Sequence, residues 1–195
     1  MDTDEQLLAR SATDPVSFEP LVERHSPALY AYLARRIPQA AEDVLSEVWL
    51  SAYSGRATFD ADRGPARGWL FGIARNAVVN HLRRPTALPL GYGSAEDQGW
   101  DAVDDRIDAQ SSAPALFAAI RALPDAEREL LLLVALDGLT PTEAGVAVGI
   151  PAGTARSRLH RARARIREQL DAAEPEPAHG APTPLTSHLI PGAIA

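Results

Sequence analysis

Apolar residues recur at helical spacing in two segments of this chain, and the stretch between the segments lacks that spacing. Residues 1–85 and 113–172 are rich in Ala, Leu and Arg. Residues 86–112 carry six acids and a single arginine, with one Pro and three Gly. Apolar residues repeated every three or four positions form one face of a helix, whereas a strand needs alternation. The sequence therefore predicts an all-α protein with two small helical domains joined by a flexible acidic linker.

The same shifts in composition predict the domain boundaries. The first helical domain comprises residues 1–85, the flexible acidic linker 86–112, and the second helical domain 113–172. From residue 173 to 195 the chain contains five prolines among small residues. Proline lacks the amide hydrogen that a helix interior needs, so this last segment is predicted to be a disordered Pro-rich tail.

Composition excludes several classes of site. The chain has no cysteine, which rules out disulfides and thiolate metal sites, and its 19 basic residues are all arginine, which rules out a Gly-Lys-Ser/Thr phosphate loop. Its five histidines show no metal-ligand spacing. We therefore expect no catalytic residues, no metal and no cofactor. The acidic start of the chain and the absence of a long apolar run predict a cytoplasmic protein with no integral membrane segment.

The first domain contains two predicted core stripes and an acidic face. One stripe repeats at intervals of four residues, with Leu21, His25, Leu29, Leu33 and Ile37. In the next helix Val44 and Val48 face the core, so Asp43 and Glu47 face outward. On the pattern alone, these two acids are either a solvated helix face or a binding surface.

The third predicted helix, from about residue 67 to 84, carries an unusual polar face. Its apolar arc includes Leu70, Ala74 and Val78, and the opposite face gathers Trp69, Asn76, Asn80 and Arg83. Amides and arginine contact base edges and phosphates, and an exposed aromatic ring stacks on an unpaired base. The alternative is that Trp69 covers the core and that the amides are ordinary surface residues.

The second domain contains the pattern of a helix-turn-helix. Thr140, Pro141 and Glu143 form a predicted capping box, Gly149 marks the turn, and a second helix follows from about residue 154 to 170. Residues 156–167 include six arginines, which is the charge footprint of a nucleic-acid-binding helix. The N-terminal turns of such a helix enter the major groove, and the residues there are Arg156, Ser157, His160 and Arg161.

Three motifs together resemble a known family. They are DVLSEVW at residues 43–49, WLFGIARN at 69–76 with HLRR at 81–84, and GTARSRLHRAR at 153–163. In this order they resemble bacterial RNA polymerase sigma factors of the sigma-70 family, in the extracytoplasmic-function (ECF) group, which keeps only regions 2 and 4. The resemblance covers about residues 5–85 and 113–172.

The resemblance implies a non-catalytic promoter-specificity subunit of RNA polymerase. Region 2 would bind core polymerase through Asp43 and Glu47, and would bind the melted minus-10 element through Trp69, Asn76, Asn80 and Arg83. Region 4 would bind the duplex minus-35 element through Arg156, Ser157, His160 and Arg161. The implied partners are core RNA polymerase, promoter DNA and an anti-sigma factor.

Two other interpretations remain at this point. A free-standing helix-turn-helix regulator would use the second domain and leave the polar residues of the first domain without a role. A small helical enzyme would need an acid/base or metal cluster, which the sequence lacks. We also expect Gly145, inside the first helix of the helix-turn-helix, to weaken that helix by about 0.5 to 1 kcal/mol relative to Ala.

Overall fold

The computed structural model describes residues 2–83 and 114–173, and all the regular structure in these residues is helical. The first region contains α1 (Asp4–Ser11), α2 (Glu19–Arg36), α3 (Ala41–Gly55) and α4 (Ala66–Arg83), with short 3-10 turns at Pro15–Phe18, Arg56–Thr58 and Ala61–Arg63. The second region contains α5 (Pro114–Arg121), α6 (Asp125–Ala135), α7 (Pro141–Val148) and α8 (Ala152–Ala173). The all-α prediction is confirmed.

Two of the predicted segments, the linker and the tail, lie almost entirely outside the residues that the structure describes. The acidic linker at 86–112 lies outside the described residues, and so does the predicted tail after its first residue. Ala173, where the tail was predicted to begin, is the last residue of α8. The helix therefore runs three residues beyond the predicted end at residue 170.

The first region folds around the predicted stripes. All five residues of the α2 stripe are buried, and α2 continues through Pro27. Val44, Val48 and Ala52 of α3 are buried against Leu70, Ala74 and Val78 of α4. Because α3 buries one side here, its opposite side is available for polar side chains.

Two helix starts are fixed by capping boxes, as the sequence predicts. Thr3 and Gln6 form one at α1, and Thr140 and Glu143 form the other at α7, where each side chain hydrogen-bonds the other residue's backbone amide. The start of α4 is held differently. The backbone amide of Ala66 donates to the carboxylate of Glu5 over 3.0 Å, which attaches α1 to α4.

The second region buries the apolar stripe of α8 under α6 and α7. Ala155, Leu159 and Ala162 are buried, and Leu130 and Leu133 of α6 lie in the same core. The predicted turn glycine, Gly149, has a positive φ angle of 74°, and Gly138, which follows α6, has one of 65°. A side chain is strained in that backbone conformation, so glycine suits the C-cap of α7 at position 149 and the turn after α6 at position 138.

The two regions also pack against each other, mainly through α4 and α7. Nothing in the sequence pattern predicted this contact.

Candidate nucleic-acid interface

The acidic side of α3 faces solvent. Asp43 and Glu47 are both exposed, on the side of the helix opposite to the buried Val44 and Val48. One turn further along the same side, Leu50 is 70% exposed. An exposed leucine beside two carboxylates is a suitable surface for a protein partner, because apolar contact and charge can act together there.

The polar face of α4 divides into two halves. Asn76, Asn80 and Arg83, in the C-terminal half, are exposed. Trp69, in the N-terminal half, is partly buried, and its ring packs against that of Phe59 with 5.4 Å between centroids. Trp69 therefore covers part of the core, as one interpretation predicted, while one side of it remains accessible.

An open cavity of about 610 Å³ lies beside Trp69. The first region contributes Phe59, Asp60 and Arg63 to its wall, and the second region contributes Val146, Ile150 and Pro151. The aromatic rings offer a stacking surface, and the nearby arginine offers a positive charge. The cavity thus combines the chemical groups that bind an unpaired base with its phosphate.

The helix-turn-helix has the predicted geometry. The four residues predicted for the major groove, Arg156, Ser157, His160 and Arg161, are all exposed near the start of α8. Gly145 allows the two helices to approach closely, because a Cβ there would lie 3.0 Å from the carbonyl oxygen of Ile150 and 3.2 Å from the Ala155 Cβ. The expectation that Gly145 simply weakens α7 was incomplete, since the turn requires a small residue at this position.

An acid of α6 neutralises part of the charge on α8. The carboxylate of Glu127 is only 8% exposed and lies 2.5 Å from Arg165 and 3.7 Å from Arg161. Arg161 still has a side chain that is 58% exposed. Glu127 therefore holds Arg165 more closely than Arg161, and both side chains remain partly open to solvent.

Ionic contacts connect the two regions. Arg35 of α2 forms an ion pair with Asp137, whose side chain is 1% exposed, and Arg75 of α4 lies 2.5 Å from Glu129 of α6. Arg67 donates to the backbone carbonyls of Asp137 and Gly138 over 2.9 and 2.8 Å. Burial raises the pKa of Asp137, and the nearby arginines Arg36 and Arg35 act in the opposite direction.

Close backbone packing accompanies these ion pairs. A Cβ added to Gly68 of α4 would lie 2.6 Å from the carbonyl oxygen of Glu143 and 2.9 Å from the Val146 Cβ. Gly64, Gly68 and Gly72 are spaced by four residues, and each faces α7. That spacing is the signal in the sequence that could have indicated a close helix contact.

Within residues 2–83 and 114–173, no cluster of three or more His, Asp or Glu side chains could hold a metal ion. No helix in these residues is long and apolar enough to cross a membrane.

Comparison with known proteins identifies both regions. Residues 21–87 match the family model described as Sigma-70 region 2, and residues 114–166 match Sigma-70, region 4. The chain is 33% identical over 164 residues to the ECF RNA polymerase sigma factor SigM of Mycobacterium tuberculosis, which covers 83% of this chain and 81% of that protein. This chain belongs to the ECF family of RNA polymerase sigma factors.

Other similarities agree with this assignment. The sigma factor is 30% identical over 172 residues to RpoE of Cereibacter sphaeroides, covering 83% of this chain and 90% of that protein. Among solved structures, it resembles CnrH in complex with the cytosolic domain of CnrY, with a TM-score of 0.58, 27% identity, and coverage of 89% of this chain and all of that one. The resemblance stated from the sequence motifs is confirmed.

The assignment decides between the interpretations that the sequence left open. The region 2 match spans α2, α3 and α4, which a free-standing helix-turn-helix regulator would leave unexplained. Nothing in the comparisons supports that alternative. The chain is a sigma subunit of RNA polymerase.

Proposed function

We propose that this sigma factor acts through three separate surfaces of the chain. The acidic side of α3 binds core RNA polymerase, the loop and face around Trp69 bind the melted minus-10 element, and the start of α8 binds the duplex minus-35 element. The observation that carries the proposal is the exposed set Arg156, Ser157, His160 and Arg161 on a capped helix-turn-helix.

The proposed minus-35 contact follows from the geometry of α8. The first turns of a recognition helix enter the major groove, where arginine and histidine can reach base edges and serine can reach a base or a phosphate. Arginines further along the helix lie nearer the DNA backbone. We expect Arg156 and Arg161 to contribute most of the sequence preference.

The proposed minus-10 contact uses stacking. A base that leaves the duplex loses its neighbours, and the Phe59 and Trp69 rings can replace part of that stacking. Asn76, Asn80 and Arg83 then contact the bases and phosphates that follow. Binding energy for separated strands shifts the equilibrium toward open DNA, so strand separation needs no covalent chemistry from this chain.

The proposed core polymerase contact uses Asp43 and Glu47, with Leu50 as an apolar neighbour on the same side of α3. In this role the protein is non-enzymatic and acts in the cytoplasm. CnrH, which it resembles, has been solved in complex with the cytosolic domain of CnrY. By analogy, an anti-sigma factor is a proposed partner of this chain as well.

Run-off transcription with purified core polymerase on a pool of genomic promoters tests the proposal. We expect discrete transcripts with the wild-type chain and a large loss with either Asp43→Ala/Glu47→Ala or Arg156→Ala/Arg161→Ala. Asp125→Ala and Arg10→Ala, which change exposed charges elsewhere, serve as matched controls.

Two binding measurements separate the surfaces. The α3 double variant should fail to co-elute with core polymerase, and the α8 double variant should still co-elute but lose promoter selection. If the wild-type chain neither co-elutes with core polymerase nor yields transcripts, the proposal is wrong.

A further inference from the structure

A buried carboxylate lies beside the middle of the basic helix α8. Glu127, in the first turn of α6, is almost fully buried, and its carboxylate lies 2.5 Å from Arg165 and 3.7 Å from Arg161. A carboxylate that is buried without a cation is costly, so these two arginines serve as its counter-charges. One acid of a neighbouring helix thus acts on two of the six arginines between residues 156 and 167.

The arginine next to Glu127 in the sequence is engaged elsewhere. Arg128 donates to three backbone carbonyls of residues 120–123, and it forms an ion pair with Asp125 over 3.3 Å. It therefore holds the turn between α5 and α6 together and does not neutralise Glu127. Among the residues that the structure describes, the ion pairs of Glu127 are with α8 alone.

The two contacts engage different parts of the two guanidinium groups. Arg165 donates from Nη1, a terminal nitrogen, whereas Arg161 approaches the carboxylate through Nε, which lies nearer the backbone. The terminal nitrogens are the ones that reach furthest from a helix toward a phosphate or a base edge. Glu127 therefore occupies the reaching end of Arg165 and leaves that of Arg161 toward solvent, which agrees with the greater exposure of Arg161.

Arg165 lies one turn beyond Arg161 on the same side of α8. Four residues of a helix advance about 6 Å along its axis and return to nearly the same face. If Arg161 enters the major groove, Arg165 lies where the helix leaves the base edges and approaches the phosphate backbone. An arginine at such a place adds affinity without adding sequence preference.

We propose that Glu127 limits the sequence-independent affinity of region 4 for DNA by holding Arg165 away from the phosphates. The proposal rests on the proposed minus-35 contact of α8, and it adds a residue that acts through another side chain. Sequence-independent affinity matters because random duplex is far more abundant in a genome than promoters and competes for the protein. A sigma factor that bound phosphates through every arginine of α8 would spend more of its time on such DNA.

Glu127→Gln removes the charge and keeps the shape of the side chain. It should release Arg165 for one further phosphate contact, and each such contact steepens the slope of log K against log salt by about 0.9. Between about 50 and 200 mM salt, sequence-independent binding by the variant should therefore fall about threefold to fourfold more than binding by the wild-type chain. Adding Arg165→Gln should return the slope to the wild-type value, because the released arginine is then absent.

Asp125→Asn is the matched control. Asp125 lies two positions before Glu127 on the same helix, its side chain is 59% exposed, and its partner is Arg128. The control changes the net charge by the same amount at nearly the same place. An effect of overall charge would therefore appear equally in both variants, whereas release of Arg165 would appear with Glu127→Gln alone.

The full chain is measured in two ways with random-sequence duplex DNA. Retention on a column of that DNA gives the salt concentration at elution, and fluorescence anisotropy with the labelled duplex gives the salt slope. We expect Glu127→Gln to elute at higher salt than both the wild-type chain and Asp125→Asn, and to bind with the steeper slope. Urea unfolding of each variant verifies that it is folded.

A second comparison leaves Glu127 in place and applies even if Glu127→Gln does not fold. Arg165→Gln in the otherwise wild-type chain should change the salt slope by much less than 0.9, because Arg165 is already neutralised. Arg156→Gln removes an exposed arginine of the same helix and should make the slope shallower by about 0.9. Equal losses for the two variants would show that Arg165 already binds phosphates and would overturn the proposal.

The other outcomes separate this proposal from the minus-35 contact. Elution of Glu127→Gln at the same salt as Asp125→Asn would overturn the role of Glu127, and so would a steeper slope that persists when Arg165→Gln is added. The minus-35 contact stands in either case if Arg156→Ala/Arg161→Ala lowers retention. If that double variant is retained as firmly as the wild-type chain, the minus-35 contact is wrong, and the role of Glu127 is wrong with it.

Discussion

The contact between Glu5 and the start of α4 makes a quantitative prediction about stability. The Glu5 carboxylate accepts the backbone amide of Ala66, the first residue of α4, at 3.0 Å. That hydrogen bond lowers the pKa of Glu5, against the opposing effect of burial. A carboxylate at a helix N-terminus contributes about 0.3 to 1 kcal/mol through its charge. We expect Glu5→Gln, which keeps an acceptor oxygen, to lower the free energy of unfolding by about 0.5 to 1 kcal/mol at pH 7.

The pH dependence of this loss has a definite sign. A carboxylate whose pKa is lowered by folding stabilises the folded state fully above its unfolded value, near 4.5 for Glu5. The stabilisation is lost as the pH falls through the lower, folded value. The difference between wild type and Glu5→Gln should therefore be present at pH 7 and should shrink as the pH falls below the unfolded value.

Urea unfolding followed by tryptophan fluorescence measures this difference, because Trp69 lies on α4 itself. Glu168→Gln, at an exposed position on α8, is the control and should change the free energy of unfolding little at either pH. A difference of the same size at pH 7 and at pH 3 would refute the reasoning. So would the absence of any loss for Glu5→Gln at pH 7.

Three further substitutions test the second region. Thr140→Ala removes one half of the α7 capping box and should cost about 1 kcal/mol in urea unfolding, whereas Thr140→Ser should keep most of that stability. Leu159→Ala empties a position that is 1% exposed and should cost about 2 to 5 kcal/mol in the same assay. Gly145→Ala should lower the melting temperature despite the helix preference of alanine, because its Cβ would lie 3.0 Å from the Ile150 carbonyl oxygen. A melting temperature that rises with Gly145→Ala would show that α7 can move away at little cost.

Local features of the fold could be predicted from the sequence because their causes are local. A capping box needs only Thr140 and a glutamate three positions later, and a turn with positive φ needs only the glycine at 149. The core stripe of α2 likewise follows from spacing along one helix. Each of these signals lies within a few residues, so no knowledge of the tertiary structure is required.

The contact between the regions could not be predicted in the same way. Arg35 and Asp137 are about 100 residues apart, and neither belongs to a periodic pattern that marks it as paired. In the sequence, each is an ordinary charged residue of the kind found on any surface. The spacing of the glycines at 64, 68 and 72 is the one sequence feature noted here that corresponds to this contact. The same spacing is also compatible with a broken helix or with a glycine-rich composition.

Trp69 agrees with both interpretations that the sequence allowed, a cover of the core and a stacking surface for a base. Its ring packs on Phe59 and thus covers the core, and it also lines the cavity between the regions. A side chain that is half buried has one face held by packing and the other available to a ligand. Because its packing against Phe59 limits the motion of the ring, the proposed stacking surface is already oriented before a base arrives, and less entropy is lost on binding.

The sequence gives the number of arginines on α8, but only the structure shows which of them lie beside an acidic side chain. Six arginines between residues 156 and 167 indicate a uniform basic helix in the sequence. The buried carboxylate of Glu127 lies 2.5 Å from Arg165, so this arginine stabilises the domain and is a weaker candidate for DNA than the count implies. Glu127 also lies 3.7 Å from Arg161. Arg156, which is exposed, is therefore the stronger candidate of the two arginines proposed for the minus-35 contact. We expect the preference for particular minus-35 sequences to change more with Arg156→Ala than with Arg165→Ala, and the stability of region 4 to change in the opposite order.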